Sequence, residues 1–150
     1  ASAFGQAMLN PDGSLNRPAL GRIVFQDDAA LRKLESITHP AIRETMRERI
    51  RTYAEREPDA LIVADVPLLY ETKQEKLYEG IMVVYVPKET QLVRLMARND
   101  LGREEAERRI ALQMDIEEKR RRADWVIDNS GSLEETERQV EQFWKSQGLP

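Results

Sequence analysis

The sequence has no cysteine, a single histidine and only 6% aromatic residues. Without cysteine there are no disulfides and no thiolate metal sites, as in proteins of a reducing compartment, so a cytoplasmic location is expected. The two Trp and four Tyr are scattered and form no platform on which bases would stack. No apolar run approaches the roughly 18 residues that argue for a membrane span. The opening "ASAFGQAML" has no charged region followed by a long apolar core, so it does not read as a secretory signal. It lacks an initiator Met and starts as though already inside a helix. The net charge is -4, which gives no general attraction to nucleic acid, and any cationic site must be local. What is present is 41% apolar residues and 33% charged residues of both signs in 150 positions. That composition suits one packed domain, or a core with a small appendage.

Breakers and periodicity divide the chain. "LNPDGSLNR" at 9–17 holds Asn-Pro and Asp-Gly and reads as a turn. Pro18 suits a helix first turn, continued by "ALGRIVF". Asp27 or Asp28 caps the next helix, whose Ala30, Leu31, Leu34 and Ile37 share one face. His39-Pro40 is expected to interrupt it, with Pro40 opening a third helix to about Arg56 that carries Ile42, Met46, Ile50 and Tyr53 on one face. Phe4 and Phe25 read as core. From Ala60 the pattern changes to short β-branched runs: "ALIVADV" from Ala60, "IMVVYV" at 81–86 and "WVIDN" at 125–129. Such runs are usually strands buried on both faces of a parallel sheet. Helices are expected over Glu89–Arg98, Arg103 to about Ala123, and Leu133 to about Ser146, the last with Ser132 and Glu135 as a capping box. The alternation indicates a doubly wound α/β fold. The stretch Glu104–Arg122 is so polar that it is expected to project from the core as a mobile lid.

Taken in order, "FG" at 4–5, "DG" at 12–13, "NRPALGRIVF" at 16–25, "HPAI" at 39–42, "VPLLYE" at 66–71, "QLVRLMARN" at 91–99, "GREEAERRIALQM" at 102–114 and "ADWVIDNSG" at 123–131 resemble dephospho-coenzyme A kinase over essentially the whole chain. The resemblance implies ATP-dependent phosphorylation of the 3'-hydroxyl of dephospho-coenzyme A, with ATP and Mg2+ bound. It implies a P-loop kinase-type parallel sheet with a helical substrate-binding region and a helical lid. On that template residues 1–58 form the acceptor-binding helices, 59–98 core strands and helix, 99–123 the lid, and 124–150 a core strand and the C-terminal helix. One departure stands out. Kinases of this kind begin with a strand and a G-x-x-x-x-G-K-[ST] loop, and no such loop occurs in the 150 residues. The chain therefore reads as roughly the C-terminal three quarters of such a kinase, a piece of a longer protein. With the phosphate-loop strand gone, the runs at 61–66 and 81–86 are expected to have exposed edges that invite self-association. Little or no turnover is expected of the chain alone. The alternatives are an isolated dephospho-coenzyme A binding module and a segment-swapped oligomerising piece.

The candidate residues follow from the same motifs. Asp65 ends an apolar run, where a carboxylate can hold hydrated magnesium or simply cap a turn. Pro67, Leu68 and Leu69 would shape the loop beside the substrate, and Glu71 either lines the acceptor pocket or supports the loop. The resemblance gives Arg98 and Arg103 a catalytic role on ATP. It adds Arg109, Lys119, Asn129 and Gly131 as further ATP contacts. Arginine is suited to such contacts because its planar fork matches phosphate oxygens. The competing reading of these charges is a solvated helix face with Glu104, Glu105 and Glu107 as partners. The run Lys119–Arg122 otherwise looks like such a face. Arg17 and His39 are placed by resemblance in the acceptor region, where Arg17 could instead brace the helix that follows and His39 could instead be a hinge at a helix junction.

Overall fold

The computed structural model describes residues 2–148. The chain divides between Ala64 and Asp65 into two compact units.

The first unit is helical. A tight hairpin-like turn brings Leu9 opposite Leu15 in an isolated antiparallel bridge. Asp12 makes the turn: its carboxylate accepts from the Ser14 amide at 2.9 Å and hydroxyl at 2.7 Å, and Gly13 takes the positive φ of 81°. Helix α1 (Arg17–Val24) starts where Asn16 accepts from the Ala19 amide, with Pro18 in its first turn. Helix α2 (Asp28–Arg56) is capped by Asp27, which accepts from the Ala29 and Ala30 amides. Met8, Leu20 and Val24 form the core, covered by Phe4, Ala19, Ala30, Leu31 and Leu34.

Two expectations fail here. The helix does not stop at His39-Pro40, because α2 runs through Pro40 unbroken. A proline inside a helix costs about 3 kcal/mol in a missing N–H and a steric clash. Around it, Ser36 Oγ donates to the Lys33 carbonyl, Thr38 Oγ1 to that of Leu34, and Arg43 Nε to that of His39. Phe25 is not core: it is 65% exposed. Beyond Leu34 the α2 stripe is covered only in part: Met46 and Ile50 are half-buried, while Ile37, Ile42 and Tyr53 are exposed.

The second unit is α/β. Strands β1 (Met82–Tyr85) and β2 (Trp125–Asp128) pair in parallel, Met82 opposite Trp125 and Tyr85 opposite Asp128. The crossover between them holds α3 (Lys88–Asn99), α4 (Arg103–Ala111) and α5 (Ile116–Arg122); α6 (Leu133–Ser146) follows β2. Tyr70, Val83 and Tyr85 are the buried centre, packed by Leu69, Ile81, Met114, Ile116, Ala123 and Val126. Ser132 and Glu135 form the expected capping box of α6.

Three expectations are corrected from residue 61 onward. Residues 61–66 are not a strand. Their burial alternates as a strand's would, but no ladder partner lies beside them among the described residues, and Val63 is 76% exposed. A strand is defined by its neighbour, and apolar β-branched sequence does not supply one. The sheet is not buried on both faces, since Val84 is 62% exposed. The polar helix expected over 103–123 is two helices, broken where Asp115 turns its carboxylate to the Glu117 amide at 2.9 Å and caps α5.

Candidate active site

In the polar run at the end of α5, Arg120, Arg121 and Arg122 are exposed as expected, and Lys119 is the exception. Lys119 is buried, with its ammonium 2.7 Å from Glu71 Oε1. The guanidinium of Arg120 lies 4.4 Å from the Tyr85 ring centre, and that of Arg122 lies 4.7 Å from the Tyr70 ring. Arg122 also pairs with Glu75, and the Tyr85 hydroxyl donates to Glu117 Oε1 at 2.6 Å. The bond to Glu117 raises the Tyr85 phenol, and burial raises that of Tyr70. Within the helix itself Arg120 pairs with Glu117 at 3.9 Å and Arg121 with Glu118. α5 is therefore fastened to β1 and to the loop 67–77, while α4 packs on α3.

Glu71 is the centre of this fastening. Its Oε1 accepts from Lys119 and from the Met114 amide at 2.8 Å, while its Oε2 is buried without a hydrogen bond. Burial pushes this carboxyl up, and the Lys119 and backbone hydrogen bonds outweigh that, so its pKa lies below the usual 4.5.

Between α3, α4 and α5 lies a cavity of about 1160 Å³. Arg98, Arg109 and Lys119 line it, as do Lys88 and Arg94, against one acidic residue, Asp115. Arg109 is paired with Glu105 at 2.6 Å. Arg98 donates to Asn99 Oδ1 at 3.0 Å and, among the described residues, has no carboxylate partner. An under-neutralised cluster of this kind, partly screened from water, attracts an anion with several charges.

The other candidates fall elsewhere. Arg103 is outside this lining: it bonds Glu89 at 3.1 Å and Glu107 at 2.8 Å on the exposed surface. Asn129 lies beyond the end of β2, where its backbone oxygen accepts from Arg94 at 2.9 Å. Sequence reasoning missed Arg94, which joins the cavity wall to this turn. Gly131 lines a separate shallow pocket with Asp128 and Arg138. There the Gln139 amide pairs both ways with the Asp128 backbone, at 2.8 Å each. Leu69 packs in the core and Leu68 is half-buried, while Pro67 is exposed. Arg17 opens α1 and His39 sits midway along α2, both in the first unit.

Among the described residues no three His, Cys, Asp or Glu side chains gather to hold a metal. Asp65 is an exposed carboxylate. A single carboxylate fits magnesium that arrives on a phosphate chain, because that ion keeps waters and takes only one or two protein ligands.

Comparison with known proteins gives one answer. The family model described as dephospho-CoA kinase matches residues 1–135. The dephospho-CoA kinase of Symbiobacterium thermophilum is 50% identical over 143 residues, covering 95% of this chain and 59% of the relative. That of Latilactobacillus sakei is 49% identical over 140 residues, covering 93% and 68%. Among solved structures, a Thermus thermophilus protein superposes with a TM-score of 0.71 at 36% identity, over 97% of this chain and 73% of that one. The dephospho-CoA kinase of Campylobacter jejuni gives 0.68 at 31% identity, over 97% and 72%. The chain thus spans less than two thirds of the length of the Symbiobacterium relative. The fold is the α/β arrangement of P-loop kinases, with two parallel strands in the described residues.

Proposed function

Because the chain belongs to the dephospho-CoA kinase family, we propose that it supplies walls of a site where ATP phosphorylates the 3'-hydroxyl of dephospho-coenzyme A. The observation that carries this reading is the cationic cavity between α3, α4 and α5, with Arg98 free of any carboxylate among the described residues. Phosphoryl transfer is mostly positioning and charge stabilisation. In this reading Arg98 presents its fork of donors to the phosphate chain, Arg109 adds a second, and Lys119 contributes a point charge. Arg103 joins them if its exposed pairs with Glu89 and Glu107 exchange for phosphate, a small loss for surface ion pairs. The Asn129–Gly131 turn borders the base. Asp65 offers its carboxylate to Mg2+ carried by ATP, an ion that neutralises phosphate charge when bound. The loop holding Pro67, Leu68, Leu69 and Glu71 serves the acceptor; in the helical unit, taken by itself, Arg17 and His39 are the residues assigned to acceptor binding.

The sequence contains no G-x-x-x-x-G-K loop to cradle phosphates with backbone amides. The isolated chain is therefore expected to bind more than it turns over. An assay of ADP release with ATP, Mg2+ and dephospho-coenzyme A tests both points: slow release that requires the acceptor and falls further in Arg98→Ala supports the reading. Release that ignores Arg98 contradicts it. Self-association is a second reading, favoured by the exposed extended run at 61–66. Light scattering that shows only monomers would refute it.

A further inference from the structure

We infer that Glu71 is a positioning residue for anion binding: its carboxylate fixes the Lys119 ammonium at the cavity wall, so that an incoming phosphate group meets a cation already in place. This rests on the reading of the cavity as a phosphate site.

The ammonium of Lys119 has three donors. One reaches Glu71 Oε1 at 2.7 Å and another Gln113 Oε1 at 3.5 Å. Among the described residues the third has no protein partner, and Lys119 lines the cavity. Glu71 cannot follow a wandering lysine, because the same Oε1 is held by the Met114 amide at 2.8 Å, in the joint between α4 and α5. Both donors converge on one oxygen while Oε2 stays buried and unbonded.

Charge and position oppose each other at this residue. The negative charge behind Lys119 repels an anion, while the acceptor oxygen keeps the ammonium ordered. Gln and Met at position 71 both remove the charge at similar length, and only Gln keeps an acceptor. Comparing Glu71→Gln with Glu71→Met therefore isolates positioning. The expected difference is roughly three- to tenfold in affinity, the cost of ordering one rotamer-rich side chain on binding.

The test is calorimetric titration of inorganic triphosphate into the full chain, into both variants, and into both again with Lys119→Met. The proposal predicts that Glu71→Met binds roughly three- to tenfold more weakly than Glu71→Gln, and that the gap closes without Lys119. Equal affinities overturn it, and so does a gap that persists in the Lys119→Met background. Should Glu71→Met fail to fold, NMR relaxation of the Lys119 side chain in the unaltered protein decides. An ammonium ordered before triphosphate is added supports the proposal, and a freely rotating one overturns it. If triphosphate binding depends on Arg98 and Lys119 but not on the acceptor at 71, this inference fails alone. If triphosphate binds neither the unaltered chain nor any variant, the phosphate-site reading fails and this inference with it.

Discussion

Replacing Lys119 by Met removes the cation and leaves a buried carboxylate behind. Breaking a fully buried ion pair typically costs about 3–5 kcal/mol, because the survivor is charged and dry. The side chains of Lys119 and Glu71 retain 11% and 18% exposure, and the Met114 amide still serves Glu71. That residual hydration reduces the expected loss to about 2–3 kcal/mol at pH 7. The pH dependence gives the sharper test. In the unaltered protein the folded pKa of Glu71 lies below 4.5, so the pair's stability is present above that value and is lost as pH falls through the folded pKa. In the variant, burial still penalises the charged form and Lys119 no longer offsets it, so the folded pKa rises. The gap in stability between the two proteins is then largest near neutral pH and closes as pH falls through the folded pKa of Glu71 in the unaltered protein, below which Glu71 is protonated in both. Urea unfolding followed by circular dichroism at several pH values measures it. A gap below about 0.5 kcal/mol at pH 7, the ordinary size of a surface substitution, would refute the burial argument. So would a gap that does not change with pH.

Gly80→Ala should destabilise by about 1–3 kcal/mol, because a Cβ there would run into the Trp125 ring, which is stacked edge-on against Phe143. Thermal unfolding reads the loss, and an unchanged midpoint would show that the ring moves aside freely. Gln139→Leu strips both hydrogen bonds from the Asp128 backbone and should cost about 1–3 kcal/mol in the same assay. Arg103→Ala should leave stability nearly unchanged, with any small loss gone in high salt, since both its partners are exposed. A larger loss would mean that Arg103 braces α4 rather than standing ready for a ligand.

Local chemistry was legible where the chain supplies its own partners. The Pro18 start of α1, a cap at Asp27 or Asp28, the Ser132 cap, and the runs that became β1 and β2, followed from residue type and spacing. The break between α4 and α5 was written in "MDIEE", since Asp115 followed by acidic first-turn residues is an N-terminal cap, but the long polar pattern masked it. Contacts distant in sequence were not legible. Residues 61–66 have strand-like composition and no ladder partner among the described residues. Nothing local marks Lys119 as different from Arg121, yet one is buried against Glu71, 48 positions away in a separate loop, and the other points to its own helix. The site shows the same division. Arg98 and Arg109 were accessible from their motifs. Arg94 owes its place to a turn that arrives from β2.

Hydrogen exchange with and without Mg2+ and ATP tests the central claim most directly. A phosphate chain lodged in the cavity should slow exchange in α3 and across residues 109–119, and Arg98→Ala should abolish the slowing. Protection confined to α1 and α2, or protection of the cavity that survives loss of Arg98, would contradict it.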